Sequence, residues 1–352
     1  MTQKSRALVA MSGGVDSAVT AHLVCARGYR ALGVTMRLQH TENACCSTED
    51  VADAARIAAS FGMAHEVCDL SELFERAVIT PFIEAYENGC TPNPCIACNR
   101  HLKFEALYRY GRERGCDVIA TGHYARIRYD EESGRYLLLR AKDPQKDQSY
   151  VLYNLTQEQL AHTLFPLGEM TKGEVRQLAA SLGLPNAEKH DSQDICFVPD
   201  GDYAGFIASR TGKSYPAGDF VTLDGRVLGR HRGIIRYTLG QRKGLGLSLP
   251  APLYVCALDT ANNRVVLGEE QALYTKTLIA RDVNLITAAR WEQPQRLYAR
   301  VRYRQKEQPA TVTLIEKDTL RVEFDEPQRA ITRGQAVVLY DGEIVAGGGV
   351  IS

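Results

Sequence analysis

From residue 6 to about 120, short apolar runs alternate with stretches whose apolar residues recur at helical spacing, the pattern of βαβ units that build a parallel sheet. Strands are expected at Ala7 to Met11, Ala31 to Met36, His65 to Cys68 and Asp117 to Thr121. Between them, Val51, Ala54, Ala55, Ile57 and Ala58 mark an amphipathic helix over 50–61, with Ser47 or Thr48 as its cap. Further helices are predicted over 71–86 and 100–114. Residues 122–141 read as a hairpin turning at Glu132-Ser133-Gly134, and 156–183 return to helical spacing. From about residue 215 the texture changes to short β-like runs broken by Gly, Pro and Asn, as in LDGRVLG and LDTANNRVVLG. That part is expected to be all-β, with two small units meeting near residue 276.

Composition narrows the setting. With 352 residues, 45% of them hydrophobic, the chain can bury a sizeable core in two or three domains. No run approaches the roughly 18 apolar residues of a membrane span. The N-terminus enters a strand pattern so early that a leader peptide has no room, so a cytoplasmic protein without membrane contacts is expected. Formal net charge is zero and the pI about 7.1, so any nucleic-acid contact must rest on local patches. Ten cysteines in such a chain read as thiols, metal ligands or redox groups, not as a disulfide framework. Cys25, Cys68, Cys116 and Cys256 fall in apolar patterns and read as small buried hydrophobes.

The run Ser12-Gly13-Gly14-Val15-Asp16-Ser17 follows a predicted strand and opens a helix. Two glycines let the backbone approach phosphates, and the N–H groups and dipole of the helix start favour their charge. No Walker lysine follows. Asp16 is a candidate for a magnesium ion, and Ser12 and Ser17 can donate to phosphate oxygens. The string resembles the pyrophosphate loop of N-type ATP pyrophosphatases, enzymes that activate an oxygen as its adenylate.

Two further segments carry sulfur. Thr91-Pro92-Asn93-Pro94-Cys95-Ile96-Ala97-Cys98-Asn99-Arg100 sets two thiols three apart just before a predicted helix, where the dipole is expected to favour the thiolate. Asp191-Ser192-Gln193-Asp194-Ile195-Cys196-Phe197 carries the other. Alone, C-x-x-C reads as zinc-binding or redox, and Cys196 as a core cysteine. Together with the loop, in this order, the segments resemble those of the tRNA-specific 2-thiouridylases. The resemblance extends to Ala120-Thr121-Gly122-His123-Tyr124, to Lys146-Asp147-Gln148-Ser149-Tyr150, to the block from Tyr237 to Gly246, and to Arg302-Tyr303-Arg304-Gln305.

The resemblance implies an α/β protein of three parts. They are a doubly wound parallel-sheet nucleotide-binding domain over 1–212, a small central β domain over 213–275 and a C-terminal, tRNA-gripping β-barrel over 276–352. Position by position, it implies ATP contacts at Ala10, Met11, Ser12, Gly13, Gly14, Val15, Asp16, Ser17, Met36 and Gly122. Asn93, Pro94 and Cys95 would meet the target base, and His123, Lys146, Asp147, Gln148, Arg302, Tyr303 and Gln335 the tRNA. Cys196 would carry sulfur as a persulfide from a donor or relay protein, with Cys98 as its partner nucleophile. The implied substrate is the wobble uridine of lysine, glutamate and glutamine tRNAs, with ATP and Mg2+ as cosubstrate and cofactor, and a monomer is expected. The chain departs from the family at Cys95, where many members carry aspartate.

Alternatives stay open at this level. Cys95, Cys98 and Cys196 could instead hold an iron-sulfur cluster with one open iron. Cys45 and Cys46, in the loop before the second helix, read by default as loop residues. In RLYARVRYRQK, a strand would align Arg300, Arg302, Arg304 and Lys306 on one face, a row suited to phosphates, with Gln241-Arg242-Lys243 adding contacts. A GMP-synthetase-like enzyme acting on a small molecule would use the same loop without the cysteine pair.

Overall fold

The computed structural model describes residues 5–40, 48–184, 195–248 and 251–352. The first sheet is parallel throughout, with strands β1 (Arg6–Ala10), β2 (Arg30–Arg37), β3 (Ala64–Asp69), β4 (Val118–Ala120) and the short β7 (Thr163–Leu164) in the order β3-β2-β1-β4-β7. The chain winds outward from β1 to β3, then returns to the other side of β1. The switch point between β1 and β4 is therefore where the loops after these two strands part and leave a crevice for a ligand.

Side-chain alternation along β1 explains why both faces are covered. Ala7 and Val9 join a core with α1 (Val15–Ala26), α2 (Thr48–Ser60) and, from far along the chain, Val175 and Ala179. Leu8 joins a second core with Leu32, Val34, Phe104 and Leu107 on the opposite face.

Helix α3 runs over 71–87 as Ser71–Phe74, Glu75–Ile79 and Thr80–Glu87, its middle in wide π-type turns. Helix α4 covers 94–113, as Pro94–Ala97, Cys98–Leu107 and Tyr108–Glu113. It starts six residues before the predicted Arg100, because the Asn93 side chain caps it by accepting from the Cys95 N–H at 3.1 Å and Pro94 stands at the first position. Cys95 and Cys98 therefore lie inside the helix, not ahead of it.

The helical pattern over 156–183 is broken into α5 (Gln157–Ala161), β7 and α6 (Lys172–Ser181). Pro166 cannot continue a helix, and at Gly168 an added Cβ would lie 1.9 Å from the Ala125 carbonyl oxygen, so the chain turns sharply there. Beyond 185–194, which lie outside the described residues, α7 (Tyr203–Thr211) leads into the β part.

A four-stranded sheet follows, order β10-β11-β8-β9, from β8 (Asp219–Thr222), β9 (Val227–Arg230), β10 (Tyr254–Asp259) and β11 (Arg264–Gly268). The remaining strands are β12 (Tyr274–Leu285), β13 (Gln295–Arg300), β14 (Gln308–Glu316), β15 (Thr319–Arg329), β16 (Ala336–Asp341) and β17 (Ile344–Ile351). They run β12-β15-β14-β13-β16-β17, and the β12–β17 pairing closes them into a six-stranded barrel.

The predicted hairpin over 122–141 exists as β5 (Arg126–Asp130) and β6 (Arg135–Leu139), but Leu139 pairs with Ile344, so it extends the barrel's sheet instead of the parallel one. Tyr150, Ala336, Val338 and Tyr340 share the core of Leu8 and Phe104, so the barrel packs directly onto the parallel sheet.

Candidate active site

The loop after β1 is shaped by its neighbours. Gly13 has φ +72°, and an added Cβ would come within 2.7 Å of the Asp50 carbonyl oxygen, so both conformation and space demand glycine. Gly122, after β4, lies across the crevice, where an added Cβ would meet the Asp16 backbone at 3.1 Å. The Ser17 hydroxyl donates to the Gly14 carbonyl at 2.9 Å and accepts from the Ser12 N–H at 3.3 Å, which fixes the turn. Met11 is buried, and Ala10 and Met36 pack partly against the sheet's core.

Asp16 is not a bare carboxylate. Lys172 Nζ sits 2.8 Å from both its oxygens, and the Tyr124 hydroxyl donates to Oδ1 at 2.8 Å. Lys172 is buried at the first position of α6, where Thr171 and Glu174 form a capping box that sets the helix start. A lysine thus reaches the loop from 156 residues along the chain. The only sequence signal for it was the Thr171-x-x-Glu174 cap.

Cys95 and Cys98 lie within electrostatic reach of Cys196 and of Lys103. Cys98 and Cys196 pack against one aromatic cluster that includes Phe82 and Phe197. Burial pushes the Cys98 thiol up to about 11, opposed by the Lys103 ammonium and reinforced by Cys196 and Cys95. Desolvation inside the helix thus works against the thiolate that the helix dipole was expected to favour. Cys95 lies at an exposed position of the helix, yet partial desolvation of its thiol raises it above the usual range, opposed by Lys103 and reinforced by Cys196.

Lys103 links the two halves. Its ammonium reaches His123 Nε2 at 3.4 Å, and His123 Nδ1 lies 2.7 Å from the Thr121 hydroxyl. Burial, aided by Lys103, holds the His123 imidazole well below the usual range, so it is neutral. With the ammonium donating to Nε2, the ring proton belongs on Nδ1. Beside these groups a cavity of about 490 Å³ is lined by Asn93, Pro94, Ile195, Tyr203, Arg236 and Gln335, among others.

Comparison with known proteins accounts for this arrangement. Residues 5–200 match the family described as "tRNA methyl transferase HUP domain", 204–269 a "PRC-barrel domain" and 275–351 an "Aminomethyltransferase beta-barrel domain". The chain is 48% identical to the tRNA-specific 2-thiouridylase MnmA of Clostridioides difficile (strain 630), covering 100% of this chain and 99% of that one. It is 49% identical to the MnmA of Acetivibrio thermocellus, covering 99% of each, and 52% identical to that of Moorella thermoacetica, covering 98% of each. The chain belongs to the tRNA-specific 2-thiouridylase family.

The positions carried over from the 2-thiouridylases fall unevenly in this structure. His123 and Asp147 are buried. Asp147 accepts from the Ala141 and Ser149 N–H groups at 3.0 and 3.2 Å and from the Ser149 hydroxyl at 2.9 Å, so it organises its own turn. Gln148 clasps Tyr124, its Oε1 accepting from the Tyr124 N–H at 2.9 Å. Lys146 is half-buried, and Tyr303 donates to the Asp147 carbonyl at 3.2 Å.

The predicted basic row is not formed. Strand β13 ends at Arg300, and the chain turns over 301–305. Arg302 turns inward, donating to the Ala330 carbonyl at 2.8 Å, the Thr332 hydroxyl at 2.7 Å and the Leu239 carbonyl at 3.4 Å. Satisfying these acceptors at the junction of the two β units outweighs continuing the strand. Arg296, Tyr298 and Arg300 alternate with the buried Leu297 and Ala299 instead, while Arg242 and Lys243 are exposed.

As for metals, the Asp16 carboxylate is already matched by Lys172, and among the described residues no group of three His, Cys, Asp or Glu side chains could hold an ion. Cys45 and Cys46 lie outside the described residues, as do Asp191 to Asp194. Among the described residues, no helix is long and apolar enough to cross a membrane.

Proposed function

We propose that the protein uses ATP to replace the 2-oxygen of a tRNA uridine by sulfur, at the wobble position of the lysine, glutamate and glutamine tRNAs in the cytoplasm. The observation that carries this reading is the Lys103–His123 contact. It joins the sulfur end of the site to the nucleotide end through Gly122. One crevice can then hold ATP phosphates and a reactive cysteine together.

The chemistry follows from what each group can do. The uridine O2 is a poor leaving group from C2, so it first attacks the ATP α-phosphorus and pyrophosphate leaves. The N–H groups at the start of α1 and the Lys172 ammonium stabilise the charge that grows on the phosphates. Magnesium travelling with ATP would supply further neutralisation.

The target uridine enters the cavity beside Asn93, Pro94 and Cys95. A persulfide on Cys196, received from a donor protein, attacks C2 through its outer sulfur, and AMP leaves with the former O2. The Cys98 thiolate then attacks Cys196 Sγ, breaking the bond to the transferred sulfur. 2-Thiouridine is released and a Cys98–Cys196 disulfide remains, which an external thiol reduces. Lys103 assists the last step by favouring the thiolate of a thiol that burial keeps protonated.

The test is incubation of the protein with tRNA, ATP, magnesium and a persulfide donor, followed by mass spectrometry of the digested nucleosides. Formation of 2-thiouridine with release of pyrophosphate and AMP supports the reading. Pyrophosphate release without tRNA that survives loss of both Cys98 and Cys196 would point to a small-molecule acceptor instead.

A further inference from the structure

The segment 89–94, which leads into α4 and its thiols, is gripped from both β units. At one end Gly89 has φ +69°, and an added Cβ would meet Leu258 Cβ and Thr260 Cγ2 at 3.2 Å. Leu258 belongs to β10 of the four-stranded sheet. At the other end the barrel turn before β16 closes on Thr91. The Thr91 N–H donates to the Arg333 carbonyl at 2.9 Å, and Gln335 Nε2 donates to the Thr91 carbonyl at 2.7 Å. Gly334 between them has φ +87°, and an added Cβ would come within 3.1 Å of Cys90 Cβ and the Thr91 nitrogen.

The turn itself is fastened to the barrel. Gly334 donates to the Ile351 carbonyl at 2.8 Å, and Ile351 returns a bond to the Gln335 carbonyl at 2.8 Å. Two residues beyond Thr91, Asn93 caps α4, and the cap sets where Cys95 and Cys98 stand. A side chain that fixes the Thr91 carbonyl therefore fixes the start of the thiol-bearing helix.

We infer that Gln335 is a positioning residue, through which the C-terminal barrel holds the Thr91–Cys95 segment in register for the target base. This rests on the reading of Asn93, Pro94 and Cys95 as the residues that meet the uridine. It assigns Gln335 to the protein's own loop, where the family resemblance points to the tRNA. A barrel engaged by tRNA is thereby coupled to the geometry of the thiols.

The experiment compares Gln335→Ala, Gln335→Glu and Gln335→Lys with the unaltered protein. Glutamate keeps the size but cannot donate to the Thr91 carbonyl, whereas lysine restores a donor. The expected result is a loss of about tenfold in 2-thiouridine formation at saturating tRNA for the alanine and glutamate variants, the rate equivalent of one hydrogen bond. The tRNA Kd of the alanine variant should stay unchanged, and the lysine variant should recover part of the rate.

A second readout needs neither tRNA nor turnover. Alkylation of Cys95 in the free protein should speed up in the alanine and glutamate variants, as the helix start loosens, while equilibrium unfolding confirms that each is folded. A weaker tRNA Kd with unchanged turnover at saturation and unchanged Cys95 alkylation would overturn the inference and make Gln335 a direct RNA contact. If the unaltered protein makes no 2-thiouridine, the functional reading fails, but Cys95 alkylation still decides whether Gln335 positions the loop.

Discussion

Lys172 Nζ lies 2.8 Å from both carboxylate oxygens of Asp16, across 156 residues of sequence. The pair stands at the start of α1, where the loop's N–H groups converge. The carboxylate and the ammonium thus form one ion pair beside the glycine loop.

Asp16→Asn should lower tRNA-dependent pyrophosphate release by on the order of a hundredfold, comparable to losing one preorganised charge stabiliser. Lys172→Met should do the same, and the double variant should be little worse than either, because the two side chains act as a unit. The magnesium concentration giving half-maximal rate should not move. A shift of that midpoint in Asp16→Asn would mean that the carboxylate binds the metal instead.

Gly13→Ala should fail for a structural reason as well as a catalytic one. Its Cβ would press on the Asp50 backbone at a left-handed φ, so α2 must shift. A loss of about 2 kcal/mol in unfolding free energy is expected from denaturant titration. Unchanged stability would show that the loop relaxes without moving α2.

Cys98 should be slow to react at neutral pH. With its thiol pushed up to about 11 by burial, the thiolate fraction and the alkylation rate should climb about tenfold per pH unit and level off only near that value. Lys103→Met removes the charge that favours the thiolate, so alkylation at a given pH should fall further. A rate already at its plateau near neutrality would contradict the burial argument.

The two sulfur mechanisms diverge at Cys95. Under the persulfide scheme Cys98→Ser and Cys196→Ser each abolish 2-thiouridine formation, while Cys95→Ser keeps most of it. The oxidised protein should then yield a Cys98–Cys196 disulfide in peptide mass spectrometry. Equal loss in all three variants, with strict dependence on added iron, would overturn that scheme in favour of a cluster.

Arg302→Ala should act on stability before it acts on RNA. Its guanidinium ties Leu239, Ala330 and Thr332 together, so truncation should cost about 2–4 kcal/mol in unfolding free energy. The salt dependence of tRNA binding should keep its slope, because this guanidinium is engaged by protein acceptors. A shallower slope with unchanged stability would restore Arg302 as a phosphate contact.

The sequence alone determined the parallel α/β half, the glycine loop after β1, and the cysteines proposed to carry the chemistry. These follow from local pattern: apolar periodicity sets strand and helix, and a glycine pair at a strand-to-helix turn is needed wherever a backbone must approach phosphate. The same local reading misplaced the start of α4, because an Asn-Pro cap before two cysteines carries little hydrophobic signal.

Local reading also extended β13 past Arg300, because four alternating basic residues look like a strand until distant carbonyls claim one of them. Tertiary structure alone decided that Lys172 reaches Asp16, that Lys103 stands between His123 and the thiols, that β5 and β6 extend the barrel's sheet, and that Gln335 grips Thr91. Each is a contact between segments far apart in the chain. Such contacts are fixed by the satisfaction of buried charges and carbonyls, which hydrophobic periodicity does not record.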